Sequence, residues 1–213
     1  MMLYLGVVNR HRDTMRILYL HQYFKTPQDS GGTRSYEMAR RLVSAGHQVT
    51  VITTDPSSRR AGGDWRVSDE AGIQVHWLPV PYSNQMPFPQ RIRAFFRFAW
   101  KSALRAASMP ADVVLATSTP LTIAIPGIAT KLWQRIPLIF EVRDLWPELP
   151  IAVGALHDPV SKGLARLLEW IAYHASAHIV ALSSGMAAGV LRRCIPASRV
   201  TVIPNSCDVE LFD

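Results

Sequence analysis

The chain is poor in cysteine. Cys194 and Cys207 are the only two thiols in 213 residues, with no C-x-x-C spacing and no Cys/His cluster around them. That excludes a disulfide framework, leaves a zinc site without a ligand set, and makes a reducing cytoplasm the default compartment. Long apolar runs are missing as well: none approaches the roughly 18–20 residues of a membrane-spanning helix. Met1–Val8 is mildly apolar but lacks the basic leader and the hydrophobic length of a signal peptide. Neither the G-x-G-x-x-G fingerprint nor a Walker loop occurs. Acidic residues are outnumbered, 16 against 23 Lys and Arg, for a formal net charge of +7. Such a balance directs attention to phosphate-bearing, nucleic-acid or anionic-membrane partners. No repeat or low-complexity tract interrupts the chain, and 48% apolar with 18% charged residues excludes a disordered polymer.

What remains is an alternation of short apolar strands and helix-period segments. Strands are expected at 16–20, 49–53, 73–80, 113–117, 138–142, 178–182 and 200–203. Helices are expected at 33–45, 90–107, 121–134 with a disturbance at Pro126, 161–175, and a short one capped by Ser183 or Ser184. Residues 56–71, rich in Ser, Arg, Gly and Asp, read as an exposed mobile loop. This order predicts an α/β fold, a doubly wound parallel sheet of Rossmann-like type. Met15 opens the first strand cleanly, so residues 1–14 read as an extension, 15–205 as the domain and 206–213 as the start of a linker.

The segment 137–148, PLIFEVRDLWPE, begins as a buried parallel strand and ends in charge. Arg143, Asp144 and Glu148 therefore fall at a strand's C-terminal end, where open α/β sheets bind ligands. A structural ion pair is the alternative reading. Gly31-Gly32 lies between the first strand and the first helix. Missing side chains there let backbone N–H groups approach a phosphate at a helix N-terminus, and Thr33 and Ser35 add hydroxyls. A plain flexible turn is the alternative. Asp55, after the second strand, sits where a nicotinamide enzyme would bind ribose, but the fingerprint is absent and the loop 21–30 is long for a dinucleotide turn.

The helix at 90–107 has an apolar stripe of Ile92, Phe95, Phe96, Ala99, Ala103, Leu104 and Ala107. Arg93, Arg97, Lys101 and Arg105 recur at i+4 on another face. Two readings stand: a core-facing helix with a solvated basic side, or a helix lying on an anionic membrane surface. No recognised nucleic-acid motif accompanies the basic residues, so nucleic acid is not an expected partner.

Three stretches resemble the opening of family 4 glycosyltransferases: RILYLHQYF at 16–24, GGTRSYEMA at 31–39 and LVSAGHQVTVIT at 42–53. RDLWPE at 143–148 is similar to the subgroup that builds O-antigen, colanic acid and capsule saccharides, including lipopolysaccharide. VIPNSCDVELF at 202–212 resembles the interdomain linker, with Ser206 where the family usually has Gly. The resemblance spans about residues 15–213 and implies the N-terminal, acceptor-side half of a GT-B enzyme of two Rossmann-like domains. It implies retaining transfer from a nucleotide-sugar to a saccharide, often carried on a polyprenyl diphosphate at the inner face of the cell membrane. No metal and no cofactor are implied. By this resemblance Gly31, Gly32 and Thr33 lie on the phosphate side. Asp144 and Arg143 position the acceptor hydroxyl and balance charge, and Glu148 is a further acceptor-side candidate. Many family members carry His-Asp where this chain has Arg143-Asp144; an arginine is a fixed cation and a poor base, which leaves proton acceptance to Asp144. The family's donor-binding basic residues and E-x7-E motif belong to its C-terminal domain, so residues 1–213 alone are expected not to turn over.

Overall fold

Successive residues of the first strand, β1 (Arg16–Leu20), feed two different cores. Ile17 and Tyr19 pack with Val49, Val51, Ile73 and Val75. Leu18 and Leu20 join Ile52, Phe98, Val114 and Phe140. A strand buried on both faces is what a sheet between two helix layers demands. The computed structural model describes residues 14–55, 63–83, 85–146, 148, 151 and 158–205. The proposed extension, except Thr14, and the linker 206–213 lie outside the described residues, as does 56–62.

After β1 come α1 (Arg34–Ser44), β2 (Gln48–Thr54), β3 (Arg66–Glu70), β4 (Ile73–Leu78) and α2 (Phe88–Ala107). The chain continues through β5 (Val113–Thr117), α3 (Ala124–Gln134), β6 (Leu138–Val142), α4 (Pro159–Ala175), β7 (His178–Ala181), α5 (Ser184–Leu191) and β8 (Val200–Val202). The strand order is β3-β4-β2-β1-β5-β6-β7-β8. Only β3 runs antiparallel. The sheet winds outward from β1 through β2, then returns to β5 on the other side of β1, which creates a topological switch point between β1 and β5. This is the doubly wound α/β architecture that the alternation predicts.

Local signals fix several boundaries. Gly46, with φ +92°, ends α1 in a conformation that side-chain-bearing residues disfavour. Asp158 caps α4 by accepting from the Ser161 N–H at 2.8 Å, with Pro159 in the first turn. Ser183 caps α5 by accepting from the Met186 N–H at 3.2 Å. Pro126 falls in the first turn of α3, where its missing N–H breaks no helical bond; the expected disturbance is instead a 3-10 turn, Leu121–Ile123, ahead of the helix.

Three expectations need correction. The loop expected at 56–71 contains β3, a polar edge strand that pairs with β4 through a tight turn. Ala71 and Gly72 have φ +56° and +81°, and Asp69 Oδ1 accepts from the Gly72 N–H at 2.9 Å. Apart from Val67 its side chains are polar, which suits a strand at the sheet edge. On α2, the buried face is Ala94, Phe95, Phe98, Ala99, Ser102 and Ala106, while Phe96 and Leu104 from the expected stripe are exposed. Helical spacing puts Leu164, Leu167, Leu168, Ile171, Ala172 and Ala175 on one face of α4; of these Ala172 is buried, but Leu164, Leu167 and Ile171 are exposed, and Glu169 and Tyr173 are buried beside Ala172. On the inward face Glu169 meets Arg193, 3.0 Å away.

Candidate functional site

A cavity of about 460 Å3 opens at the C-terminal ends of the central strands. His21 follows β1, Thr119 follows β5, Arg143 and Asp144 follow β6, and Leu182 follows β7. Tyr23, Lys25, Gly31 and Gly32 enter from the loop between β1 and α1, and Asn205 lines the cavity from the segment after β8. The volume is that of a small-ligand site, and its position beside the switch point is where such sheets bind ligands.

The cavity combines fixed charge with a small amount of hydrogen-bonding capacity. Lys25 and Arg143 are cationic and Asp144 is anionic, so the lining carries one net positive charge when His21 is neutral. His21 is neutral: burial, with the Arg143 guanidinium as a lesser cause, pushes its imidazole down to about 3. Arg143 Nη1 lies 3.5 Å from His21 Nε2. An arginine can only donate, so this geometry makes Nε2 the acceptor and leaves the proton on Nδ1. Nδ1 has no hydrogen-bond partner among the described residues. Asp144 Oδ2 accepts a short hydrogen bond from the Thr119 hydroxyl, and the Arg143 N–H donates to Ser118 Oγ at 3.0 Å. The loop after β5 thus holds the loop after β6.

Gly31 adopts φ +128°, a left-handed conformation suited to glycine. A Cβ at Gly32 would meet nothing within 4 Å, so the backbone there borders open space. Because α1 starts at Arg34, two residues later, the positive end of its dipole lies beside the cavity. Thr33 occupies the N-cap position without a side-chain cap bond and is not among the lining residues.

Sequence reasoning missed the structural knot that supports this floor. Glu141 is fully buried on β6, two positions before Arg143. Its Oε1 accepts from Arg34 Nη2 at 2.9 Å and Nε at 3.1 Å, and its Oε2 accepts from the Thr117 hydroxyl at 3.0 Å. Arg34 also donates to the carbonyl oxygens of Ile203 at 2.9 Å and Pro204 at 2.7 Å. One guanidinium therefore joins the start of α1, the end of β6 and the exit of β8. The lone signal in the sequence was Glu141 inside an otherwise apolar strand, which demands a buried cationic partner.

The remaining candidates fall elsewhere. Glu148 is exposed and bonds to Arg193, which also meets Glu169; it does not line the cavity. Glu169 is raised to about 7 by burial first, then by Glu148. Arg93, Arg97 and Lys101 are exposed along α2. Arg105 departs from them: it turns in to donate to His76 Nδ1 at 3.1 Å and stands 5.6 Å from the Trp65 ring centroid. The expected basic row therefore presents three cations rather than four. Asp55 meets Arg66 at 3.6 Å across the β2 and β3 ends. Among the described residues, no cluster of His, Cys, Asp or Glu could hold a metal ion, and no helix is long and apolar enough to cross a membrane.

Several solved structures share this fold. Sucrose-phosphate synthase from Thermosynechococcus elongatus superposes with a TM-score of 0.65 at 12% identity, covering 92% of this chain and 49% of that one. The catalytic domain of starch synthase IV from Arabidopsis thaliana, bound to ADP and acarbose, gives 0.58 at 14% identity, covering 94% and 53%. Anabaena Alr3699/HepE in complex with UDP and glucose gives 0.52 at 19% identity, covering 93% and 46%. The chain spans about half the length of these structures. Comparison with curated protein sequences finds no match. The family model described as "Glycosyl transferase 4-like domain" matches residues 31–206, and the chain belongs to that glycosyltransferase-like family.

Proposed function

We propose that this domain is the acceptor side of a retaining glycosyltransferase, which transfers a sugar from a nucleotide-sugar to a saccharide in cell-surface polysaccharide assembly. The observation that carries the reading is the Arg143–Asp144 pair, which lines one cavity beside the switch point together with Gly31 and Gly32. Supporting it are the family membership and two structural neighbours that hold UDP with glucose and ADP with acarbose. In this reading the nucleotide is held mainly by groups outside residues 1–213, in keeping with the half-length overlap.

In the reaction, the acceptor hydroxyl sits on Asp144, whose other contact, Thr119, keeps the carboxylate in place. Arg143 and Lys25 balance phosphate charge. The acceptor oxygen bonds to the anomeric carbon on the face from which the diphosphate leaves, and the proton passes to the departing diphosphate. Asp144 orients and polarises the hydroxyl without bonding to the sugar. The polyprenyl-diphosphate-linked acceptor, the O-antigen and capsule subgroup, and docking at the inner membrane face through Arg93, Arg97 and Lys101 belong to the same proposal. Each exposed cation near an anionic surface contributes about 1 kcal/mol, so three bias orientation without anchoring the protein.

The test is made in cells carrying the gene. Asp144→Asn stops incorporation of one sugar into the surface polysaccharide at unchanged protein level. Unaltered polysaccharide in that variant contradicts the reading.

A further inference from the structure

Two cations line the cavity at the strand ends, Lys25 and Arg143. Among the described residues neither forms an ion pair with a carboxylate. The neighbouring Asp144 carboxylate is engaged by the Thr119 hydroxyl. The Arg143 guanidinium meets the His21 ring at 3.5 Å, and that ring is neutral. Arginine carries five N–H donors in a planar fork, so one long contact leaves most of the fork without a partner. Other guanidinium groups of this fold are consumed by it: Arg34 by Glu141 and two carbonyl oxygens, Arg193 by Glu148 and Glu169. Arg143 differs from them in facing a cavity with its charge uncompensated.

The two cations belong to different parts of that cavity. The Lys25 stem packs on the glycine loop: its Cγ lies 3.7 Å from where a Cβ on Gly31 would stand. That loop leads into the N-terminus of α1, the side on which phosphate charge is favoured. Arg143 follows β6, and its chain neighbour is Asp144, the group that takes the acceptor hydroxyl in the reading above. Tyr23 adds an apolar wall to the same cavity. Its ring is backed by Tyr82, with centroids 5.0 Å apart, and Tyr82 stacks on Phe95 at 5.6 Å.

We propose that the acceptor sugar is acidic: a hexuronic acid whose carboxylate docks on the Arg143 fork while a hydroxyl of the same ring sits on Asp144. The proposal rests on the acceptor-side reading and names the chemical class of its acceptor. In a hexuronic acid the ring carbon next to the carboxyl-bearing one carries a hydroxyl. Acid and nucleophile are thus presented together, as the consecutive Arg143 and Asp144 line one cavity. The one net positive charge of the lining, with Asp144 counted and His21 neutral, matches one carboxylate. A planar carboxylate meets a guanidinium bidentately, through bonds roughly twice as strong as neutral ones. Entry of any sugar strips water from Arg143; neutral hydroxyls replace that hydration incompletely, whereas a carboxylate replaces it with opposite charge. Diphosphate charge is then met at the glycine loop by Lys25, with Arg143 contributing at longer range.

The experiment is an NMR titration of the 213-residue chain with methyl glucuronoside and, separately, methyl glucoside, followed at the Arg143 side-chain Nε–H signal and at backbone amides around the cavity. The glucuronoside is expected to bind about 10-fold more tightly. Arg143→Gln makes the two glycosides bind alike. Arg143→Lys, which keeps the charge and loses the fork, retains part of the preference, and the remaining amide signals show that both variants are folded. Arg93→Gln removes the same unit of charge from exposed α2 and leaves the preference unchanged. Equal binding of the two glycosides overturns the acidic acceptor and leaves the acceptor-side reading standing. No binding of either overturns both. A preference that survives in Arg143→Gln assigns it to the overall positive charge and overturns the proposal. So does a preference for UDP-glucuronate over UDP-glucose larger than that between the glycosides, which places the acid on the transferred sugar.

Discussion

Glu141 and Asp144 lie three residues apart at one strand end and have opposite circumstances. Glu141 is sealed: Arg34 saturates one oxygen, the Thr117 hydroxyl bonds the other, and no surface is exposed. Asp144 is held from one side by Thr119 and borders the cavity. The difference teaches that a charged cluster in a sequence mixes groups consumed by the fold with groups left for a ligand. Distance to a fixed partner, rather than residue type, separates them.

The largest expected effect breaks the sealed half. Glu141→Ala leaves Arg34 buried without its counter-charge and destabilises the protein by about 3–5 kcal/mol, read from urea unfolding midpoints. Asp144→Asn, by contrast, changes unfolding stability by less than about 1 kcal/mol while sugar transfer in the intact enzyme falls by about 100-fold or more, because the acceptor hydroxyl loses its orienting carboxylate. Equal stability losses in the two variants would erase the distinction.

A change of pH sharpens the cavity side. His21 has a folded value of about 3 against 6.5 for the free side chain, so the unfolded chain binds its proton more readily. Its contribution to stability is complete above pH 6.5 and is lost as pH falls toward 3, at up to about 1.4 kcal/mol per pH unit. Glu169 acts in the opposite sense: raised to about 7, it stabilises the fold fully below its ordinary value of 4.5 and loses that contribution as pH rises through 7. His21→Gln therefore removes the acid-side loss, and stability measured between pH 4.5 and 7 then declines with rising pH. An unchanged slope in that variant would show that His21 titrates normally.

The smallest effect is the most local. Arg34→Lys keeps the charge on Glu141 but lacks the planar fork that also reaches Ile203 and Pro204. Global stability falls by about 1–2 kcal/mol. Amide exchange accelerates selectively at β8 and the residues after it, measured by hydrogen-exchange mass spectrometry. Uniform acceleration across the sheet would contradict the view of Arg34 as a clip on the chain's exit.

How much of this could be read in advance depended on how local the cause was. β1, β5 and β6 appear with the expected ends because each is a short apolar run bounded by polar or proline residues. The cavity's Gly31, Gly32, Arg143 and Asp144 were legible because strand ends and glycine turns mark ligand sites in this architecture. β3 was hidden, since Arg66-Val67-Ser68-Asp69-Glu70 has the composition of a loop and becomes a strand only by pairing with β4. The Arg34–Glu141 and His21–Arg143 contacts join residues more than a hundred positions apart, beyond any local pattern. On α4 the apolar stripe was seen, yet its exposure could not be, because periodicity identifies an apolar face without saying what covers it.

The account is tested most directly by calorimetric titration of the 213-residue chain with UDP-sugars, GDP-sugars and NAD. An acceptor-side glycosyltransferase domain whose nucleotide site lies mainly elsewhere shows no binding, or only millimolar binding, to all three. Micromolar binding of NAD would contradict the glycosyltransferase reading, and micromolar binding of a nucleotide-sugar would place the donor site within these residues.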